Sequence, residues 1–307
     1  MRISWIKYND RMLPHTEKLP ELGRCVAWTM MSGIRLLSTD FDGTLIAIGS
    51  NGRCTPDFAA ALEVHNRRGG LWAINTGRSL NHAIDGLKLF NAPLAPNFLL
   101  TNEREIYRRT ADGQWMPHGD WNSISRRRHG ELFEQALEMF AFIERLAQES
   151  DQITILYEEE LPAGLVTSSE EVMEIVARNI QREAERLPDF SFQRNSIYLR
   201  FCHRDYHKGS ALGELCRLEG IEADVVFAAG DHFNDLSMLD GSCAKMTACP
   251  ANAIEPVKQL VRRSQGYVAD KCWADGVAEA LDFYENITRG WNFPAPSSGE
   301  AETTRPV

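Results

Sequence analysis

The segment LLSTDFDGTL, residues 36–45, is the most informative part of this sequence. Its apolar start, with Ile34 just before it, predicts a buried strand of an α/β sheet. Asp40 and Asp42 follow at the end of that strand, and because side chains alternate along an extended chain, both carboxylates project to the same side. Two carboxylates this close repel each other unless a cation lies between them, and oxygen ligands suit Mg²⁺. The stretch therefore favours a metal site, although an Asp-x-Asp-Gly sequence is also a common loop.

The composition restricts the class of protein. With 307 residues, 43% of them hydrophobic and 25% charged, the chain is typical of a soluble globular protein of about two domains. A formal charge of −10 argues against a nucleic-acid-binding protein, and no run of about 18 apolar residues predicts a membrane span. The seven cysteines form no CxxC pair and are odd in number, which favours reduced thiols in a cytoplasmic protein.

Both ends of the chain differ from its middle. Residues 1–30 mix charges, prolines and aromatics without an apolar signal-peptide core, and we predict a poorly structured N-terminal extension. Met30-Met31 directly before the first strand suggests that the native start lies there and that residues 1–29 are dispensable. Residues 292–307 are rich in Pro, Ser, Gly, Glu and Thr, which predicts a disordered tail.

Strands and helices alternate on both sides of a central insertion, which is the pattern of a Rossmann-like parallel sheet. We predict a core made of residues 31–103 and 202–291. Its expected elements are a helix capped by Thr55, a strand at 71–74, a helix from Ser79, a strand at 98–100, a helix from Ser210, a strand at 225–229 and helices near 253–263 and 276–284.

The pattern changes in residues 104–201, where we predict a separate α+β unit. The expected strands are 106–107, 114–116 and 153–157, with a hairpin of 190–193 and 197–201. The expected helices are 131–150 and one capped by Ser168 or Ser169. Two helices on an antiparallel sheet would form a cap over the core, and we expect the cap to determine substrate choice.

Five polar residues follow directly after predicted parallel strands. They are Asp40, Asp42, Thr76, Asp231 and Asp235. Because the carboxyl ends of parallel strands form one crevice, we expect these side chains to converge there, next to Lys208, which precedes a helix at the same edge. Taken singly, Thr76 could cap a helix, Lys208 could be a surface lysine, and the two later aspartates could be turn and cap residues. Their joint placement favours a site.

These residue types suit phosphoryl transfer. Asp40 can attack phosphorus and form an aspartyl-phosphate, and Asp42 can protonate the leaving oxygen and later deprotonate the attacking water. Mg²⁺ bridging Asp40, Asp231 and a phosphate oxygen would stop the anionic groups from repelling each other. Thr76 and Lys208 would stabilise the charge of the transferring group.

Four segments together resemble the motifs of the haloacid dehalogenase superfamily of Mg²⁺ phosphohydrolases. The segments are DFDGT (40–44), TGR (76–78), KG (208–209) and GDHFND (230–235). The resemblance covers about residues 34–284 and implies that Asp40 is the nucleophile and Asp42 the acid/base. It further implies a phosphate-binding group of Thr76, Gly77, Lys208 and Asn234. The implied metal ligands are Asp40, Asp42 through its backbone carbonyl, Asp231 and Asp235.

The position of the insertion narrows the resemblance. Thirty-five residues separate Asp40 from Thr76, whereas 131 separate Thr76 from Lys208, so the cap follows the second motif. This arrangement is similar to subclass IIB, the Cof-type and sucrose-phosphatase-like branch, with a C2-type cap. Two departures stand out. Many Cof-type members have Asn-Gly-Ala where this chain has Asn-Glu-Arg at 102–104, and the variable pair at 232–233 is the bulky His-Phe.

The resemblance favours a small phosphate ester, foremost a sugar phosphate, as substrate. Candidate contacts from the cap are Asn195, Tyr198, Arg200, His203 and Arg204. Two other hypotheses remain open. The protein could be a phosphosugar mutase, in which the phosphoryl group passes to a second hydroxyl, or a phosphate-binding or regulatory protein without turnover. No membrane or nucleic-acid role is indicated, and the sequence does not indicate an oligomeric state.

Overall fold

A computed structural model describes residues 5–8, 11–14, 33–47, 52–158 and 160–289. The strands are β1 (Trp5–Tyr8), β2 (Arg11–Pro14), β3 (Leu36–Thr39), β4 (Leu71–Asn75), β5 (Phe98–Thr101), β6 (Glu105–Arg109), β7 (Trp115–Pro117), β8 (Ile153–Glu158), β9 (Leu161–Thr167), β10 (Phe190–Asn195), β11 (Tyr198–His203), β12 (Val226–Ala229), β13 (Met246–Cys249) and β14 (Tyr267–Val268). The helices are α1 (Pro56–Arg67), α2 (Leu80–Phe90), α3 (Trp121–Gln135), α4 (Leu137–Gln148), α5 (Glu170–Ala184), α6 (Lys208–Glu219), α7 (Leu236–Leu239), α8 (Glu255–Arg263) and α9 (Trp273–Arg289).

The core is an eight-stranded sheet in the order β14-β13-β12-β3-β4-β5-β6-β7. The strands from β14 to β5 are parallel, whereas β6 and β7 continue the sheet in antiparallel pairing. β3 lies between β12 and β4, with Thr39 opposite both Ala229 and Ile74. The chain therefore leaves the carboxyl ends of three adjacent strands at the same level, where a parallel sheet forms its ligand crevice.

The two faces of β3 explain why this strand is buried. Leu37 packs in one hydrophobic cluster with Phe58 of α1 and Phe227 of β12. Leu36 packs in a second cluster with Leu212 and Leu215 of α6. Because both faces of a parallel sheet are covered by helices, its strands are continuously apolar, as the sequence of β3 predicts.

The inserted α+β unit has its own antiparallel sheet, in the order β10-β11-β9-β8. One face of this sheet packs against α4 and α5 in a hydrophobic cluster that includes Phe140, Ile180, Leu199 and Phe201. The opposite face of the sheet turns toward the core. Ser169 caps α5 by accepting a hydrogen bond from the amide of Val172, as predicted.

The structure differs from the prediction for the beginning of the insertion. β6 and β7 pair with the core sheet through β5, not with the sheet of the inserted unit. Local sequence predicts that these strands exist but not which sheet they join, because that depends on contacts with distant strands. We propose that the boundary of the cap lies near residue 120 instead of 104, so that α3 begins it.

Other differences concern single elements. The helix predicted over 131–150 is two helices, α3 and α4, separated at Ala136, whose φ of −90° and ψ of 15° are not helical. β9, β13 and β14 were not predicted. β1 and β2 pair as a short hairpin, where the sequence predicted a poorly structured extension. Met30-Met31 and the tail at 292–307 lie outside the described residues. None of the helices in the described part of the chain combines the length and the hydrophobicity of a membrane span.

Candidate active site

Asp40 lies at the carboxyl end of β3 and is 2% exposed. Lys208, fully buried at the start of α6, donates to Asp40 Oδ1 at 2.6 Å and to Asp235 Oδ1 at 2.7 Å. Burial opposes the charge of Lys208, but the carboxylates of Asp235 and Asp40 raise its pKa above the ordinary value. Lys208 is therefore a fixed cation in the core, and its interpretation as a surface lysine is wrong. Asp40 Oδ2 is buried without a hydrogen-bond partner.

Three carboxylates meet at this point of the sheet. Oxygen atoms of Asp40, Asp231 and Asp235, all buried, lie within 4.8 Å of one another. Burial and the neighbouring Asp235 raise the pKa of Asp231 to about 7, and burial raises that of Asp40 despite the charge of Lys208. Lys208 offsets only part of this negative charge. A cluster of buried oxygen donors with excess negative charge fits a hard divalent cation.

The loop after β3 is shaped around Asp231. Gly43 has a φ of +88°, and a Cβ atom there would lie 2.3 Å from Asp231 Oδ2, so no other residue fits. Thr44 donates to Asp231 Oδ1 at 2.7 Å. Asp235 Oδ2 in turn accepts from the backbone amides of Asp231 and His232 at 2.8 and 2.9 Å. Asp235 is therefore both a member of the acidic cluster and the anchor of the loop that carries Asp231.

Asp42 lies beside this cluster and is held differently. Arg78 donates through Nε and Nη2 to the two carboxylate oxygens of Asp42, both at 2.6 Å. The Asp42 side chain is 23% exposed, and the Arg78 guanidinium also lies 4.9 Å from the ring centre of Phe41. A planar guanidinium that meets both oxygens fixes a carboxylate in orientation as well as charge.

The remaining predicted phosphate ligands line the same cavity. Thr76, Gly77 and Asn234 face a space of about 560 Å³ together with Asp40 and Asp42. Thr76 Oγ1 accepts from the backbone amide of Arg78 at 3.1 Å, which leaves its hydroxyl hydrogen free to donate. Lys208 does not line the cavity; it reaches the site through Asp40.

Glu103 is an additional acidic residue at the cavity. It is 6% exposed, and its Oε1 accepts from Asn234 Nδ2 at 3.0 Å. Burial raises the pKa of Glu103, and the charge of Lys208 and the hydrogen bond from Asn234 offset part of that rise. Glu103 Oε2 and Asn234 Oδ1 are both buried without a partner.

One register row of the inserted sheet forms the roof of the cavity. Arg200 of β11 lies opposite Gln193 of β10 and Gly164 of β9, and Gly164 lies opposite Leu156 of β8. All four line the cavity. Among the described residues of the inserted unit, Arg200 is the only cationic side chain that does so, and it donates to Asn102 Oδ1 at 3.2 Å.

The cap candidates separate into two groups. Asn195, Tyr198 and Arg200 line the cavity. His203 and Arg204 are not among the described cavity-lining residues; the backbone amide of His203 instead donates to His129 Nε2 at 3.2 Å. Their placement near the site was wrong because the last residues of β11 run away from the cavity toward α3.

The bulky pair His232 and Phe233 contacts the cap. The backbone amide of Ser196, at the tip of the β10–β11 hairpin, donates to the ring of His232, with Nε2 at 3.1 Å. The guanidinium of Arg194 lies 4.8 Å from the ring centre of Phe233. These residues therefore join the hairpin to the loop that holds Asp231 and Asn234.

Sequence reasoning missed three contributors to the site: Thr44, Arg78 and Glu103. Thr44 and Arg78 lie inside segments that we singled out, but which side chain each would meet is not visible in the spacing. Glu103 was noted only as a departure from a glycine. The available signal was this departure itself: an acidic residue stands where many Cof-type members have a glycine.

Known proteins resemble this chain in both sequence and fold. The profile of the family described as haloacid dehalogenase-like hydrolase matches residues 96–281. A phosphoglycolate phosphatase from Methanosarcina acetivorans is 34% identical over 85 residues, which are 28% of this chain and 34% of that protein. The match thus spans about a third of the length of the curated relatives.

Two solved structures illustrate the similarity in fold. The sucrose-phosphatase from Synechocystis, in complex with sucrose and phosphate, has a TM-score of 0.61 at 18% identity over 82% of this chain and 98% of its own. A subclass IIB sugar phosphatase has a TM-score of 0.55 at 17% identity over 82% and 99%. This chain therefore shares its overall fold with both structures over most of its length. The family profile covers more than half of the sequence, and the chain therefore belongs to the haloacid dehalogenase-like hydrolases.

Proposed function

We propose that this protein is a Mg²⁺-dependent phosphomonoester hydrolase that acts on small phosphorylated metabolites, foremost sugar phosphates, through an aspartyl-phosphate intermediate. The observation that carries the proposal is the state of Asp40. Its carboxylate lines the cavity, with one oxygen held by Lys208 at 2.6 Å and the other buried without a partner. One oxygen is thus oriented, and the other is left to form the bond to phosphorus.

In this mechanism Asp40 Oδ2 attacks the phosphorus atom and the bond to the leaving oxygen breaks. Asp42, two residues on, gives a proton to that oxygen; after the product departs, it takes a proton from the water that attacks the aspartyl-phosphate. The hydrolysis returns Asp40 and releases inorganic phosphate. Because Arg78 holds both oxygens of Asp42, at least one of these hydrogen bonds must open while the proton moves.

The acidic cluster supports the metal requirement. Asp40, Asp231 and Asp235 are the residues that would hold the cation. When bound, Mg²⁺ would supply the positive charge that lets an anionic nucleophile approach an anionic phosphate. Thr76 and Asn234 donate to the phosphate oxygens from the cavity wall, and Lys208 keeps Asp40 in place from below.

The proposed substrate class rests on the side chains that the inserted unit presents to the cavity. Gln193, Asn195 and Tyr198 offer neutral amide and hydroxyl groups there, which suit the hydroxyl groups of a sugar. The similar sucrose-phosphatase structure contains sucrose and phosphate. Phosphoglycolate is a second candidate, because Arg200 offers a cation to the cavity and the curated relatives are named phosphoglycolate phosphatases.

The experiment is phosphate release from sugar phosphates, phosphoglycolate, nucleotides and an aryl phosphate, each with Mg²⁺ and with a chelator. We expect chelator-sensitive release that is strongest on one sugar phosphate. Asp40→Asn, which keeps the shape of the side chain, should abolish release without lowering the thermal midpoint. If Asp40→Asn still releases phosphate, Asp40 is not the nucleophile. If the natural protein releases phosphate from none of these esters, the proposed hydrolysis is refuted. A mutase or a phosphate-binding protein without turnover would then be favoured.

A further inference from the structure

Glu103 stands in a backbone conformation that favours glycine. Its φ is +63°, and that of Asn102 is +50°. Two hydrogen bonds hold this turn, from the amide of Asn102 to Arg78 O at 2.8 Å and from the amide of Glu103 to Thr76 O at 3.1 Å. An acidic side chain is unfavourable in the left-handed region, so the protein tolerates strain at this point.

This backbone conformation places the Glu103 side chain between Gly77 and Asn234, two members of the predicted phosphate-binding group. A Cβ atom on Gly77 would lie 2.9 Å from Glu103 Oε1, so the carboxylate packs directly on that glycine. The same oxygen accepts from Asn234 Nδ2 at 3.0 Å. Glu103 and Asn234 are 131 residues apart in sequence, and both are buried.

The chemistry of this contact fixes the orientation of an amide. Glu103 Oε1 accepts this hydrogen bond, so the NH₂ group of Asn234 faces the carboxyl group and the amide oxygen of Asn234 is turned away from it. Without that partner, the oxygen and nitrogen of the amide could exchange positions. One hydrogen of Nδ2 is given to Glu103, which leaves the second for a ligand in the cavity.

We infer that Glu103 is a positioning residue, which holds the side-chain amide of Asn234 so that its second N–H hydrogen donates to the phosphate group of the substrate. The inference rests on the proposed function, because it assigns Asn234 to a phosphate ester. It explains why an acidic residue occupies a strained position beside a phosphate site, where its charge alone would repel the ligand.

The test measures binding of inorganic phosphate by calorimetry in the presence of Mg²⁺, and kcat/KM on an aryl phosphate. Glu103→Gly removes the acceptor and relieves the strained φ, so we expect the Kd for phosphate to rise about tenfold, the size of one charge-assisted hydrogen bond, with no fall in the thermal midpoint. Glu103→Gln keeps an oxygen acceptor without the charge and should restore most of the affinity. In an Asn234→Ala background, Glu103→Gly should change the Kd less than about twofold.

Three results would overturn the inference. In the first, Glu103→Gly binds phosphate as tightly as the natural protein or more tightly, which would mean that Glu103 acts on the phosphate only by charge repulsion. Glu103→Gln could lose as much affinity as Glu103→Gly. The loss could persist in the Asn234→Ala background, which would mean that Glu103 does not act through that amide. If phosphate binds but no ester is hydrolysed by the natural protein, the proposed function fails while the binding series still decides the role of Glu103.

Discussion

Replacing Asp231 by Asn should make the metal-free protein more stable, although it removes a carboxylate from the candidate active site. Asp231 is 3% exposed and lies among buried carboxylates, and its pKa rises from the ordinary 3.8 to about 7. At about 1.4 kcal/mol for each pKa unit, an ionised Asp231 costs the folded metal-free state about 4 kcal/mol. Asn has the same shape, and its Oδ1 can still accept from Thr44.

The size of the stabilisation depends on pH. Below about pH 4 the carboxyl of Asp231 is protonated in both states, so the substitution should change the free energy of unfolding little. The cost appears as the pH rises from about 4 and is complete above the folded pKa of about 7. We therefore expect the gain of about 4 kcal/mol at pH 8 and almost none at pH 4.

The assay is urea unfolding in a chelator at pH 4 and at pH 8, followed by the same series with Mg²⁺ at pH 8. Mg²⁺ should stabilise the natural protein and stabilise Asp231→Asn much less. Asp151→Asn is the control, because Asp151 is an exposed aspartate in the turn before β8, where the change should stay within about 0.5 kcal/mol. A variant that is no more stable than the natural protein at pH 8, or that gains equally at both pH values, would refute the electrostatic account of the acidic cluster.

Two further outcomes test the surroundings of the site. Arg78→Met should lower kcat on an aryl phosphate by roughly 10- to 100-fold, because the Asp42 carboxylate loses the group that orients it. Arg78→Lys should recover part of the lost kcat. A rise in kcat in Arg78→Met would mean that Arg78 only holds Asp42 away from the reaction. Burial, with the nearby charge of Arg104, lowers the pKa of His129 to about 3, so the unfolded chain binds a proton at this residue below about pH 6.5 while the folded protein does not. In urea unfolding, the free energy of unfolding of the natural protein should therefore fall between pH 7 and pH 5 by about 2 kcal/mol more than that of His129→Gln. Equal falls in the two proteins would mean that His129 is not a buried neutral histidine.

The residues at strand ends were predictable because each depends on its own segment. Asp40 and Asp231 follow apolar strands, and the register of β3 with β12 brings them together. The pairing of Glu103 with Asn234 was not predictable, since nothing in either segment specifies a contact across 131 residues. The existence of β9 was not predictable for another reason: Pro162 and Gly164 are rare in strands and interrupt the apolar pattern of this segment.

Under the proposed function, the row of side chains that roofs the cavity would recognise the substrate, while the reaction takes place at Asp40. Its members stand on four different strands, while the helix-facing side of the same sheet is stabilised by its own hydrophobic cluster. Gln193, Arg200 and Leu156 can therefore be exchanged without repacking that cluster or moving Asp40. Gly164 is the exception, because a Cβ atom there would lie 2.4 Å from the carbonyl oxygen of Leu199. Under the proposed function, substitutions confined to these three positions should change which esters are hydrolysed without altering the contacts of Asp40 with Lys208.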